Sequence, residues 1–151
     1  MAHAHTLSTA SDSKSSAPLL TTLTVVGRVL LALMFILSGA SKLGNISGTA
    51  AFIASAGLPM PSVVAVVVGA FELVAGLALA VGWHARLAAG LLGLFTIAAS
   101  VTFHAYWKLP ADQQMIQQLM FMKNLSVAGA MFFVAAVGAG RASLDGRKAD
   151  R

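Results

Sequence analysis

A single glutamate, Glu72, interrupts the apolar stretch Val63–Val81, and it is the only glutamate in the chain. A carboxylate inside hydrocarbon is costly unless it is paired, solvated or held protonated. At that depth it points to proton handling, ligand binding or a structural ion pair, each of which needs a partner. Helical spacing supplies candidates. Arg28, Leu31, Phe35, Ser38 and Lys42 fall on one stripe, and Gly69, Glu72, Gly76 and Ala80 on another. The small residues beside Glu72 let a second backbone approach, so this face turns inward. A third stripe runs Gly90, Gly93, Ile97, Ser100, His104 and Trp107. A fourth runs Gln113, Gln117, Met120 and Asn124, with Lys123 about 100° away around its helix.

At about 1.5 Å per residue, Glu72 lies ~14 Å below the outer start of its helix and Arg28 ~10 Å in from the cytoplasmic end. These depths predict a structural ion pair between Arg28 and Glu72. Ser38, Lys42, His104, Lys123 and Asn124 fall in the outer third and predict an outward-facing polar pocket above that pair. Glu72 and His104 are the candidate catalytic groups; Ser38, Lys42, Lys123 and Asn124 are the candidate ligand-binding groups. Plainer readings stand beside these. Arg28, Lys42 and Lys123 are long enough to snorkel to an interface, and His104 can be a histidine hydrogen-bonded at the membrane edge. Trp83, Tyr106 and Trp107 suit an interfacial aromatic belt. His84 beside Arg86 reads as a solvated turn residue, and Met115, Met120, Met122 and Met131 read as gap-fillers.

The elements that must position these residues are membrane helices. Of 151 residues, 58% are hydrophobic and 10% charged, with a mean hydropathy of +0.83. A soluble domain carries about 25% charged residues, so the fold class is an all-α integral membrane bundle. Helices are predicted over 20–43, 63–83, 87–106 and 111–140, the last with its apolar run over roughly 119–140 and its start outside the membrane, so each apolar run is near the ~20 residues that span a bilayer. None alternates with a period of two, which disfavours barrel strands. Between the first two, residues 48–56 predict a short interfacial helix behind a Ser47 N-cap, ended by Gly57. Trp83–Arg86 is a tight turn, so the flanking helices are antiparallel neighbours. Pro110 and Asp112 predict a start near Ala111 for the last helix.

Residues 1–18 read as a disordered cytoplasmic tail, residues 19–141 as the membrane domain and 142–151 as a basic cytoplasmic tail. His3 and His5 read as incidental, not as a metal site. The tail lacks a basic n-region and short h-region, so the first apolar run is expected to be retained as an anchor. With four spans, seven Lys or Arg residues share the side of the termini and three, Lys42, Lys108 and Lys123, share the other. That asymmetry places both termini in the cytoplasm. The formal net charge of +5 fits topology and lipid contact, not nucleic-acid binding. The absence of cysteine excludes disulfides, thiol relays, Cys-ligated zinc or iron–sulfur centres and covalent haem. No phosphate-binding loop, dinucleotide fingerprint, zinc-protease helix or Ser/His/Asp set is present. His84 and His104, at opposite ends of one helix and ~30 Å apart, cannot clamp one haem.

Gly27-Arg28 through Ser38-Gly39-Ala40-Ser41-Lys42-Leu43 resembles the opening signature of the DoxX family of small bacterial membrane proteins. The likeness continues through Gly57-Leu58-Pro59, Glu72-Leu73-Val74-Ala75-Gly76, Gly82 and Phe103-His104 with Trp107, and ends at Phe121-Met122-Lys123-Asn124-Leu125 with Gly129. It covers roughly residues 22–140. The resemblance implies a four-helix bacterial inner-membrane bundle, and it implies that Arg28, Ser38, Lys42, Glu72, His104, Lys123 and Asn124 carry whatever site is shared. It links the chain to quinone and membrane redox systems, as a quinone-interacting or accessory component. Any electron transfer would need a bound quinone or a partner subunit, since no redox centre is visible. An enzymatic role would then be that of a membrane oxidoreductase component. The alternatives are a non-catalytic scaffold or assembly partner, and a small-solute or proton pathway gated by Glu72. The expected partners are the lipid bilayer and either a redox subunit or a second copy of the chain.

Overall fold

A backbone in hydrocarbon must satisfy its own amides and carbonyls, and long uninterrupted apolar runs do so as helices. The computed structural model describes residues 8–149, which form an all-α chain. The helices are α1 (Ser8–Gly44), α2 (Ile46–Ser55), α3 (Pro61–Val81), α4 (Ala85–Phe103), α5 (Ala111–Val137) and α6 (Leu144–Ala149). Four segments are long and apolar enough to cross a membrane: Pro18–Gly44, Pro61–Val81, Ala85–Lys108 and Ala111–Val137. The segment expected as a disordered tail overlaps α1 from Ser8 onward. Its first seven residues, with His3 and His5, lie outside the described residues.

Local chemistry sets the boundaries. Asn45, not Ser47, caps α2: its side-chain oxygen accepts the Gly48 N–H at 3.0 Å. Asparagine is as good a cap as serine and stands two residues earlier, so the helix gains residues at its start. Pro61 occupies the first turn of α3, where its missing N–H costs nothing. Gly82 ends that helix in the left-handed region at φ 72°, and the Trp83 N–H reaches back to the Ala78 carbonyl. The connection to α4 is therefore as tight as expected. At its far end α4 stops at Phe103, and a 3-10 turn over Tyr106–Lys108 leads to α5. Gly138 closes α5 at φ 91°, before the expected residue 140.

The long helices pack mainly as two pairs, α1 with α3 and α4 with α5. Small residues make the first pair close. A Cβ on Gly39 would lie 2.6 Å from both the Gly69 carbonyl oxygen and the Leu73 nitrogen. Gly76 meets Ile36 in the same way. Membrane helices gain their association energy from such backbone approach, because lipid tails already satisfy apolar side chains. Phe35, Leu79, Leu92 and Met131 join the two pairs in one core. By contrast α1 and α5 barely touch.

The segment after α5 folds back as well. The Arg28 guanidinium donates to the carbonyls of Ala139 and Ala142. Both carboxylate oxygens of Asp145 accept N–H groups at the start of α4, from His84 at 2.9 Å and Ala85 at 2.8 Å. Arg86 donates to the last carbonyls of α5, at Ala136 and Val137. The end of the bundle beside the turn from α3 to α4 is thus closed by charges placed against backbone groups. The basic tail expected over 142–151 is, as far as Ala149, part of this closure.

Candidate functional site

Close packing of α1 on α3 fixes which polar groups can meet. Gly39 sits against Gly69 and Leu73, and Lys42 Cβ lies 3.2 Å from where a Gly69 Cβ would be. Glu72 is one turn further along α3, so the Lys42 side chain folds back along the groove and pairs with it, Nζ to Oε2, at 2.6 Å. Ser38, four residues before Lys42 on the same face, accepts a second ammonium proton. Glu72 is only 4% exposed, so this pair explains how the carboxylate is tolerated in an apolar helix.

The expected pair between Glu72 and Arg28 does not form. Arg28 Nη1 lies beside Gly82, ten residues from Glu72 on α3, or ~15 Å along the axis. Depth alone had put Arg28 within reach; the Gly39–Gly69 register places it at the other end of the helix. Its Nη1 and Nη2 donate to carbonyls of the returning chain, its nearby negative charge is Asp145 and not Glu72, and its buried Nε has no hydrogen-bond partner.

One cavity of about 430 Å³ lies between α1, α2, α3, α4 and α5. Ser38, Lys42, Glu72, His104, Lys123 and Asn124 all line it. Mostly apolar side chains form the rest of the wall, with Met34 and Phe35 from α1 and Phe95 from α4. The short helix α2 roofs it with Thr49, Phe52 and Ile53, held down by Ile53 and Ala50 packing on Ala65. Phe52 stacks on Phe103 at 4.9 Å and joins that roof to the end of α4. From α5 the lining comes from Lys123 and Asn124.

His104 follows the last turn of α4, and its Nδ1 lies 2.8 Å from the Gln117 side-chain oxygen. With the amide oxygen as acceptor, Nδ1 donates, and Nε2 is the ring nitrogen left for a ligand. Lys42 uses two of its three protons on Glu72 and Ser38 and keeps one. Lys123 contacts the Met120 sulfur at 3.6 Å. The site therefore offers donors from Lys42, Lys123 and the Asn124 amide, an imidazole nitrogen, and apolar walls.

Two features escaped the sequence pattern. The stripe through Ser100 meets the cavity only at His104. Phe95, Thr96, Ala99 and Thr102 line the cavity, while Ser100 is buried away from it with its hydroxyl unpartnered. Thr96 spends its hydroxyl on the Leu92 carbonyl, so it adds shape, not polarity. The bond from His104 to Gln117 joins two stripes that the pattern leaves unconnected, and Lys123 and Asn124 stand at the middle of α5 (Ala111–Val137). Among the described residues no group of His, Asp or Glu could hold a metal ion.

Residues 23–105 match the DoxX family. The chain is also 34% identical over 125 residues to inner membrane protein YphA of Escherichia coli strain K12, covering 83% of this chain and 89% of that protein. Inner membrane protein YqjF of the same strain is 30% identical over 124 residues, covering 80% and 88%. No solved structure gives a significant match.

Proposed function

The chain belongs to the DoxX family as a multi-pass inner-membrane protein, and from that premise we propose that it binds a quinone, as an accessory component of a membrane redox system. The observation that carries this reading is the convergence of Ser38, Lys42, Glu72, His104, Lys123 and Asn124 on one otherwise apolar cavity. Binding sites for small molecules are typically apolar clefts of about 300–1,000 Å³ with a few convergent polar groups, and at about 430 Å³ this cavity is of that kind.

The residues fit such a ligand. The free proton of Lys42 and the Asn124 amide would donate to a ring carbonyl. His104 Nε2 would accept from a hydroxyl, which suits the reduced form of the ring; in its neutral tautomer it cannot donate to the carbonyl of the oxidised form. Glu72, held by Lys42, is placed to exchange a proton at the same end of the cavity. Phe35, Phe95 and Phe103 would flank the ring. The weak contact between α1 and α5 would let an apolar tail leave sideways into lipid. A bound quinone would supply the redox couple that the side chains lack, and electron transfer would then require a partner subunit.

We read the orientation from charge: both termini in the cytoplasm and the cavity toward the opposite face, on the seven-to-three count of Lys and Arg. The cysteine-free chain makes this simple to check. Asp112→Cys should react with an impermeant maleimide in intact spheroplasts and Arg147→Cys only after lysis.

The two tryptophans, Trp83 and Trp107, allow the function itself to be tested. Trp107 packs on Phe121 near the cavity, and Trp83 stands in the turn at the other end. In lipid nanodiscs, titration with a short-chain quinone should quench Trp107 saturably in a Trp83→Phe variant and leave Trp83 unaffected in a Trp107→Phe variant. Protein that retains no quinone from its native membrane and shows no saturable quench would sink the proposal.

A further inference from the structure

The charges that line the cavity do not cancel. Lys42 and Glu72 neutralise each other at 2.6 Å, and His104 is hydrogen-bonded to the Gln117 oxygen. Lys123 has no such partner: its ammonium contacts a thioether. Among the described side chains the other carboxylates are Asp112 and Asp145. Asp112 precedes Lys123 by eleven residues on α5, ~16 Å along the axis. Asp145 is spent on the amides of His84 and Ala85 at the opposite end of the bundle.

Position sets this cation apart. Lys123 stands at the midpoint of the 27-residue helix α5, and His104 bonds to Gln117, six residues nearer the helix start. Lys123 is therefore ~9 Å further along the helix than Gln117, the partner of His104, and its exposed side chain lines the cavity. A cation at mid-helix without a counter-charge is a binding group by default. Beside it stand the Asn124 amide and Nε2 of His104.

We propose that the cavity takes a lipophilic monoanion, with an ionised carboxyl or ring hydroxyl as its head, and that Lys123 recognises the charge. This rests on the cavity being the ligand site proposed above, but not on the ligand being a quinone. A charge-assisted hydrogen bond is about twice as strong as a neutral one. Lys123 therefore sets selectivity for the anion over a neutral molecule of the same shape.

Two matched probe pairs test it, in nanodiscs of zwitterionic phosphatidylcholine with empty discs as the partition control. The first pair is an alkyl naphthoquinone with and without a ring hydroxyl conjugated to the carbonyl, which ionises at neutral pH. The second is dodecanoate and dodecanol. The anion of each pair should bind wild type about tenfold more tightly than Lys123→Gln, with the neutral member changed less than twofold. Lys123→Arg should keep the preference, which also shows that a substitution here leaves the cavity folded.

An anion preference that is absent, or equal in wild type and Lys123→Gln, overturns the proposal even if the neutral naphthoquinone binds. Lys123-dependent binding of dodecanoate with no binding of either naphthoquinone leaves the proposal standing and removes the quinone reading. If no probe binds, both fall.

Discussion

Arg28 and Lys42 leave the same helix, α1, about four turns apart, and end in opposite kinds of environment. Arg28 is 5% exposed and donates from both terminal nitrogens to two backbone carbonyls of the returning chain. Lys42 is satisfied by a carboxylate and a hydroxyl at the edge of a cavity, with its side chain still 28% accessible. Around Arg28 every charged group is set against backbone: Asp145 on the amides that open α4, Arg86 on the carbonyls that close α5. Around Lys42 the charged groups face a void and one another. Backbone partners are fixed in place, so the first arrangement acts as a fastener. Side-chain partners can rotate away and be replaced by a ligand, so the second arrangement can act as a site.

That contrast is open to attack from both ends, and the largest effect is expected at the cavity. Glu72→Gln leaves the Lys42 ammonium in a largely apolar groove with Ser38 as its remaining partner. Breaking one side of a buried pair is expected to cost roughly 2–4 kcal/mol, the lower end reflecting the accessibility of Lys42. The double variant Lys42→Met/Glu72→Gln should recover more than half of that loss, because no charge is then stranded. Thermal unfolding in nanodiscs measures both. A single variant as stable as wild type would mean that water in the cavity already solvates the pair, and the two ends would differ less than their geometry suggests.

Arg28→Met comes next. It removes two charge-assisted bonds and frees the chain after α5, at an expected cost of about 2 kcal/mol. Trypsin should then cut faster at Arg141 and Arg147, while quench of Trp107 by ligand stays as in wild type. A change in ligand affinity with no change in cleavage would reverse the assignment of fastener and site.

The bundle was legible in the sequence because its cause is local: runs of apolar residues long enough to span a bilayer can do little but form helices. Glu72, Lys42, Ser38, His104, Lys123 and Asn124 were legible as a group because each is a polar residue on or near an apolar helix, an expensive placement that needs a reason. Their pairing was not. Depth arithmetic counts residues from a helix end, but which residue lies beside which depends on the register of α1 on α3. Gly39 and Gly69 set that register through a backbone contact. The partner of Arg28 was hidden for another reason. It is a pair of carbonyls, and every residue has a carbonyl, so nothing in Ala139 or Ala142 marks them. The signal that could have betrayed the fold-back is Asp145, the acidic residue amid Arg141, Arg147 and Lys148, placed where a helix N-terminus wants an anion.

Asp145 is also where the closed end can be tested most gently. Its two oxygens accept from two successive amides at the start of α4, a cap supplied from sixty residues away in sequence. Removing a cap typically costs about 1 kcal/mol, so Asp145→Ala should lower stability by about that much. Asp145→Asn has one oxygen in place of two and no charge to offer the helix dipole, so it should fall between wild type and alanine. Hydrogen exchange at His84 and Ala85 reports the effect where it arises, and both amides should lose protection in Asp145→Ala. If their exchange does not change, the segment over Leu144–Ala149 is not docked in the membrane-embedded protein. The closed end would then be held by Arg86 and by the packing of Gly82 alone, and Arg28 would be a buried charge in need of another partner.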